Sequence, residues 1–259
     1  MNSHYAKKSY GQHFLTQTAI LKKIWELVAA HQPVNLLEIG PGRGALTEGI
    51  KPLCRNFKAI EADRDMQSYL LEHQLLEESQ LIRGDVLKVN FDTLFPGEDF
   101  LLCGNFPYNI SSQILIKTLQ NTGRIPVMIG MFQKEVVVRI LSGPGNKEFG
   151  TLSVLTQLMY EGRKCFDIQP SAFNPPPKVI SSVLELKRRP DHLSVEAFGR
   201  MQKLVRNAFQ FRRKTLRNNL KGIVQDLSVL NDPYFDKRPE QLSPQEFQEL
   251  SLRLWPQEG

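Results

Sequence analysis

The segment Leu37-Glu38-Ile39-Gly40-Pro41-Gly42-Arg43-Gly44-Ala45-Leu46-Thr47 sets three glycines at alternate positions behind a short apolar run that carries one acid. Glycines so placed let a backbone turn tightly and pass close to a ligand with no Cβ in the way. The spacing is G-x-G-x-G, whereas dinucleotide binders use G-x-G-x-x-G, and Glu38 stands two residues ahead of Gly40. A pyrophosphate favours a helix N-terminus free of nearby carboxylates, while a ligand carrying an ammonium and a sulfonium gains from one. The turn therefore points to S-adenosylmethionine rather than NAD, with Glu38, Gly40 and Gly42 expected against the cofactor.

Two later acids fit the same ligand. Glu61, followed by Asp63, closes the next apolar run and can accept both hydroxyls of a ribose. Asp85, in Gly84-Asp85-Val86, closes the third run and can accept a hydrogen bond from the cofactor's adenine amino group, with Val86 beside it. Each acid alone is an ordinary strand-end residue; the ordered set is what a Rossmann-like methyltransferase requires.

Gly104-Asn105-Phe106-Pro107-Tyr108 follows a fourth apolar run and carries a different chemistry. The nitrogen of an aromatic amine is a poor nucleophile because its lone pair is delocalised into the ring. The Asn105 side-chain carbonyl and the backbone carbonyl of Phe106 or Pro107 can accept the two amino hydrogens, and Tyr108 can stack on the base. No strong general base is then needed, since the proton can leave to solvent after in-line displacement. Pro107 stiffens the turn. A base that must leave its stack needs a second aromatic wall. Phe173 is the candidate, on a loop stiffened by Pro175, Pro176 and Pro177. The plainer alternatives are a strand-closing turn for Asn105 and a core anchor for Phe173.

Elements able to position these groups are legible in the hydrophobic pattern. Apolar runs at 35–39, 57–61, 80–83, 100–103 and 127–132 alternate with helical patterns, among them 112–119 and 134–141. That alternation predicts β-α units around a parallel sheet. A Gly/Pro loop at 142–147 and a helical pattern at 152–160 come next. Strand-like runs at 164–168 and 179–186 predict a hairpin added to the sheet edge. Beyond residue 188 only helical spacing recurs, as in Phe198, Met201, Val205, Ala208 and Phe209. The expected fold is α/β, a Rossmann-like, mostly parallel seven-stranded sheet over 1–187, with a small all-helical domain over 188–259.

Composition narrows the partners. The 259 residues carry a formal charge of +6, and the cations are unevenly spread. Residues 199–221 hold Arg200, Lys203, Arg206, Arg212, Arg213, Lys214, Arg217 and Lys221 with no acid, and residues 1–25 hold Lys7, Lys8, Lys22 and Lys23 with none. Such a run implies contact with RNA, through Arg206, Arg212, Arg213, Lys214 and Arg217 in particular. The three cysteines and five histidines show no ligand spacing, so no metal is expected, and the cysteines read as core residues of a reducing compartment. No apolar stretch is long enough to span a membrane, and the first residues lack a signal-peptide core, so a cytoplasmic protein is expected; a monomer is expected as well.

On these residues the chain resembles the ribosomal RNA adenine dimethyltransferase family over nearly its whole length. The resemblance extends to Ser9-Tyr10-Gly11-Gln12-His13-Phe14-Leu15, to Phe173 through Val183, and to the segment 211–220. It implies that Gln12, His13 and Leu15 line the cofactor pocket. It further implies dimethylation of two neighbouring adenines in a hairpin near the 3′ end of small-subunit rRNA, within an assembling subunit. His13 stands where the family usually has Asn, Phe106 where it has Leu, and Phe211 where Gln is common. Two other readings share the core motifs: an antibiotic-resistance type of large-subunit rRNA adenine methyltransferase, and an RNA-binding assembly or transcription factor in which catalysis is secondary.

Overall fold

The computed structural model describes residues 13–255; Gln12, Lys7 and Lys8 lie outside them. The strands are β1 (Phe14–Leu15), β2 (Asn35–Ile39), β3 (Asn56–Glu61), β4 (Leu81–Arg83), β5 (Leu101–Asn105), β6 (Val127–Gln133), β7 (Tyr160–Ile168), β8 (Phe173–Asn174) and β9 (Ser181–Arg188). Every residue of β2 is buried, as expected for a central parallel strand covered on both faces. The covering helices bury stripes at helical spacing: Leu21, Ile24 and Val28 on Thr18–Ala29, and Ile114, Leu115, Thr118 and Leu119 on Ser111–Gln120. Between β3 and β4 the helix Arg64–Glu72 starts at Asp63, whose side chain accepts from the Asp65 amide.

Seven strands form one sheet in the order β4-β3-β2-β5-β6-β9-β7. Pairing is parallel from β4 through β6, and β9 joins β6 antiparallel over Val127–Gln133. The chain moves outward from β2 to β4 and then returns to place β5 on the other side of β2. That reversal makes a switch point between β2 and β5, where the strand C-termini diverge and a crevice opens. Strands β1 and β8 pair separately, with Leu15 opposite Phe173.

The fold class and the strand positions follow the hydrophobic pattern closely. β7 starts earlier than its apolar signal because its first turn outward, Glu161-Gly162-Arg163-Lys164, is exposed. The domain division differs from expectation. One compact unit holds the described residues up to Val137 together with Arg163–Lys187; the other holds Val138–Gly162 together with the described residues from Arg188 onward. Residues 138–162, expected in the first domain, thus group with the tail. In that second unit the helix Val195–Ala208 is capped by Ser194 and buries Phe198, Met201, Leu204, Val205 and Ala208. Of the cysteines only Cys103 is buried; Cys54 and Cys165 are half-buried, because each sits at the margin of the core rather than within it. Among the described residues, no helix is long and apolar enough to cross a membrane, and no group of three or more His, Cys, Asp or Glu side chains could hold a metal ion.

Candidate active site

At the C-terminal ends of β2, β3, β4 and β5 lies a cavity of about 440 Å³, walled by His13, Phe14 and Leu15 on one side. Glu38, Gly40, Gly42, Glu61, Asp85, Val86, Asn105, Pro107 and Tyr108 all line it. Residues spread over some ninety positions of sequence are thus brought together by the strand order.

The glycine turn has the backbone that its spacing implied. Gly40, Gly42 and Gly44 have φ of 69°, 56° and 81°, the left-handed region that side chains disfavour. A Cβ on Gly42 would stand 2.9 Å from the Phe14 ring, so the turn also has no room for one. Glu61 braces this turn. Its Oε2 accepts from the Gly42 amide at 3.1 Å and its Oε1 from the Asp63 amide at 2.8 Å. Each oxygen keeps a second lone pair, so the carboxylate can still receive ribose hydroxyls. Burial raises the Glu61 pKa, and the Asp63 and Gly42 amides oppose that rise.

Asp85 accepts from the Leu87 amide through Oδ1 at 2.9 Å, which fixes the loop after β4. Lys117 holds the same loop from the helix that follows β5, donating to the carbonyls of Leu87 at 3.1 Å and Val89 at 2.6 Å. Nothing in the local pattern marked Lys117, since its partners lie some thirty residues away.

Glu38 is 1% exposed, and its Oε2 accepts from the Thr47 hydroxyl at 2.6 Å. Burial, offset in part by Thr47 and reinforced by Glu61, pushes its pKa up to about 8. The folded state therefore holds a proton that the unfolded chain releases near its ordinary value of 4.5. Stability from this group is complete below about 4.5 and is lost as pH rises toward about 8. Thermal midpoints measured across that window should fall with pH in the parent and fall less in Glu38→Gln, which cannot ionise. Parallel profiles would show that Glu38 is not the group responsible.

The Asn105 amide is oriented by its own hydrogen bond: Nδ2 donates to the His13 carbonyl at 2.8 Å. The side-chain carbonyl is thereby left as the acceptor at the cavity. Of the two backbone carbonyls considered with it, that of Pro107 accepts from the Ile110 amide at 3.1 Å and closes the turn, so Phe106 offers the better acceptor. Phe106 itself is buried, and its ring lies over two glycines of neighbouring strands, Gly104 and Gly130; a Cβ on Gly130 would fall 2.1 Å from it. The larger side chain is accommodated beneath the sheet surface by those missing side chains. Tyr108 is held through its hydroxyl by Ser181 on β9, and burial raises its pKa. The ring of His13 stacks on that of Tyr108, with centroids 5.6 Å apart, and its Nδ1 lies 2.8 Å from the Pro175 carbonyl oxygen.

One expectation needs correction. Phe173 is 3% exposed, belongs to the apolar core with Leu15, Ile168 and Val183, and does not line the cavity. Pairing of β8 with β1 draws its ring inward, so it anchors the strand pair and supports the wall formed by Leu15. The aromatic neighbour that Tyr108 does have is His13. In the basic segment, Arg217 pairs with Asp236 at 2.8 Å, and Arg212 donates to the carbonyls of Asn146 at 3.2 Å and Phe149 at 2.9 Å. The absence of acids over 199–221 is true of the sequence but not of the surroundings. Arg206, Arg213 and Lys214 are exposed and have no ion-pair partner among the described residues.

A mostly parallel sheet that presents, at its switch point, a glycine turn, a braced strand-end carboxylate and an Asn-x-Pro-Tyr segment defines a Rossmann-like methyltransferase. The family model described as "Ribosomal RNA adenine dimethylase" matches residues 3–245, and the chain belongs to that family. It is 44% identical over 253 residues to the ribosomal RNA small subunit methyltransferase A of Phocaeicola vulgatus, covering 96% of this chain and 89% of that protein. Among solved structures it is similar to a dimethyladenosine transferase from Plasmodium falciparum, with TM-score 0.75 and 28% identity, covering 93% of this chain and 98% of the other. A likeness to the 23S rRNA methyltransferase ErmE, TM-score 0.65 at 22% identity over 93% and 99% of the two chains, reflects the shared fold.

Proposed function

We propose that the protein methylates the N6 amino group of two adjacent adenines, in a hairpin near the 3′ end of small-subunit rRNA, to N6,N6-dimethyladenosine. S-adenosylmethionine is the methyl donor, and when bound it supplies an electrophilic methyl on a sulfonium centre. The observation that carries the reading is Asn105, whose Nδ2 is committed to His13 so that its carbonyl is left to accept. Glu61, Asp85 and Val86 suit the adenosine half of the donor, and the turn of Gly40 and Gly42, with the protonated Glu38 behind it, suits its aminoacyl half. The cavity size falls in the range of small-molecule sites.

Asn105 and the Phe106 carbonyl take the two amino hydrogens of the target base, which keeps the nitrogen lone pair out of the ring. Tyr108, fixed by Ser181, holds the plane of the base. The surplus proton on the methylated nitrogen passes to solvent. Arg206, Arg213 and Lys214 are free for phosphate contacts, whereas Arg212 and Arg217 serve first to hold their own unit together. The working particle is an assembling subunit in the cytoplasm, met by a monomer.

Mass spectrometry of rRNA from cells with and without the gene tests the reading. Dimethyladenosine at two adjacent positions of the small-subunit rRNA should disappear with the gene and return with labelled methyl groups when the protein is added to immature subunits. Label appearing in large-subunit rRNA instead would support the resistance-type activity.

A further inference from the structure

The second compact unit carries an aromatic ring with no structural employment. Phe211 is 58% exposed, while the other phenylalanines nearby in the sequence and space stack together, Phe149 on Phe209 at 6.0 Å and Phe209 on Phe247 at 5.8 Å between centroids. Among the described residues Phe211 has no ring partner.

Its backbone is nevertheless held firmly. Asn219, 5% exposed, donates from Nδ2 to the carbonyls of Ala208 at 2.6 Å and Phe211 at 3.2 Å. The Lys214 amide closes the turn onto the Phe211 carbonyl at 2.8 Å. On the other side Arg212 fastens it to the carbonyls of Asn146 and Phe149. A bare ring on a pinned turn is presented outward rather than left to fold back.

Leading up to this turn, one face of the helix Val195–Ala208 and its continuation forms a shallow groove lined by Gly199, Gln202, Lys203, Arg206, Asn207 and Gln210. The positions recur at helical spacing and include two cations, three amides and no acid. Gly199 has no packing reason to lack a side chain, since a Cβ there would meet nothing within 4 Å; its absence leaves the floor of the groove open. Arg213 and Lys214 continue the positive charge past Phe211.

We propose that this groove and Phe211 form a docking surface for an unpaired stretch of RNA, whose backbone follows Lys203 and Arg206 and one of whose bases stacks on the Phe211 ring. The proposal rests on the rRNA substrate argued above and adds a place and a structural class to it. Cations without acids match a phosphate backbone, and an isolated aromatic at the end of a basic track is how proteins seat splayed-out bases. A protein partner would instead call for a broader apolar patch with a polar rim.

Filter binding to immature small subunits across a salt series, with the parent and variants compared, tests it. Phe211→Ala should weaken binding by roughly 5- to 100-fold at every salt concentration with the salt dependence unchanged, because a neutral ring displaces no counterions. Phe211→Trp should bind like the parent, and Phe211→Leu should bind like Phe211→Ala. The double variant Lys203→Gln, Arg206→Gln should lower the slope of log affinity against log salt by roughly 1.4 to 1.8. Calorimetric affinity for S-adenosylmethionine should be the same in all of them. A parent that binds and methylates the particle while Phe211→Ala matches it would overturn the stacking site alone. Full binding by Phe211→Leu would also overturn it, since an aliphatic contact would then suffice. A parent that neither binds nor methylates small subunits would remove the rRNA reading and the docking surface together.

Discussion

Replacing Asn105 with alanine is expected to leave affinity for S-adenosylmethionine nearly unchanged and to slow methyl transfer on the order of a hundredfold or more. The side-chain carbonyl draws an amino hydrogen most strongly as the nitrogen takes on positive charge, so its loss falls on the transition state. The same side chain also anchors the His13 carbonyl at 2.8 Å, and a structural loss has to be separated from a chemical one. Asn105→Asp makes that separation: it retains an acceptor toward the base but cannot donate to His13. If the carbonyl does the chemistry, single-turnover rates should be partly restored in the aspartate variant relative to alanine. A normal rate in Asn105→Ala would remove the residue from the mechanism, and equal losses in both variants would assign it to positioning the N-terminal segment.

Glu61→Ala should produce the largest loss of cofactor affinity of any single change in the cavity. Two charge-assisted hydrogen bonds to the ribose, each worth roughly 1.5–3 kcal/mol, disappear with the carboxylate. The loss extends further, because Oε2 and Oε1 also hold the amides of Gly42 and Asp63. Alanine would leave those buried donors unpaired, and the glycine turn would lose the brace that sets its approach to the ligand. Glu61→Gln keeps one oxygen for an amide but cannot serve both, so its affinity should lie between those of the parent and alanine. Titration calorimetry with S-adenosylmethionine measures the series. An unchanged dissociation constant in Glu61→Ala would mean that the ribose does not lie at the end of β3.

Much of this site was legible because its parts are local. A glycine turn is specified by three residues within a short span, and the left-handed φ values of Gly40, Gly42 and Gly44 are the reason those positions are glycine. Glu61 and Asp85 could be read as ligand groups because a parallel sheet delivers the ends of successive strands to one edge, and the strands themselves were marked by apolar runs. Asn105 and Tyr108 followed from the chemistry of an aromatic amine. Ser181 carries no local signal, although it lies within the stretch from Phe173 to Val183, because its role is to hold a tyrosine hydroxyl 73 residues away.

What the amino-acid sequence determined by itself is therefore the fold class, the positions of the strands along the chain and the types of group placed at their ends, since each is marked by residues within a few positions of one another. Tertiary structure alone decided which of those groups are free to act. It turned Phe173 into the core through the pairing of β8 with β1, although its composition and loop suited a stacking wall. Arg217 and Arg212 were committed to Asp236 and to the carbonyls of Asn146 and Phe149, while Phe211, beside Arg212 in the chain, was left exposed. The Asn105 amide was oriented by a carbonyl 92 positions earlier. In each case the deciding partner is distant along the chain, and hydrogen bonding and burial depend on what meets in space, which no local pattern encodes.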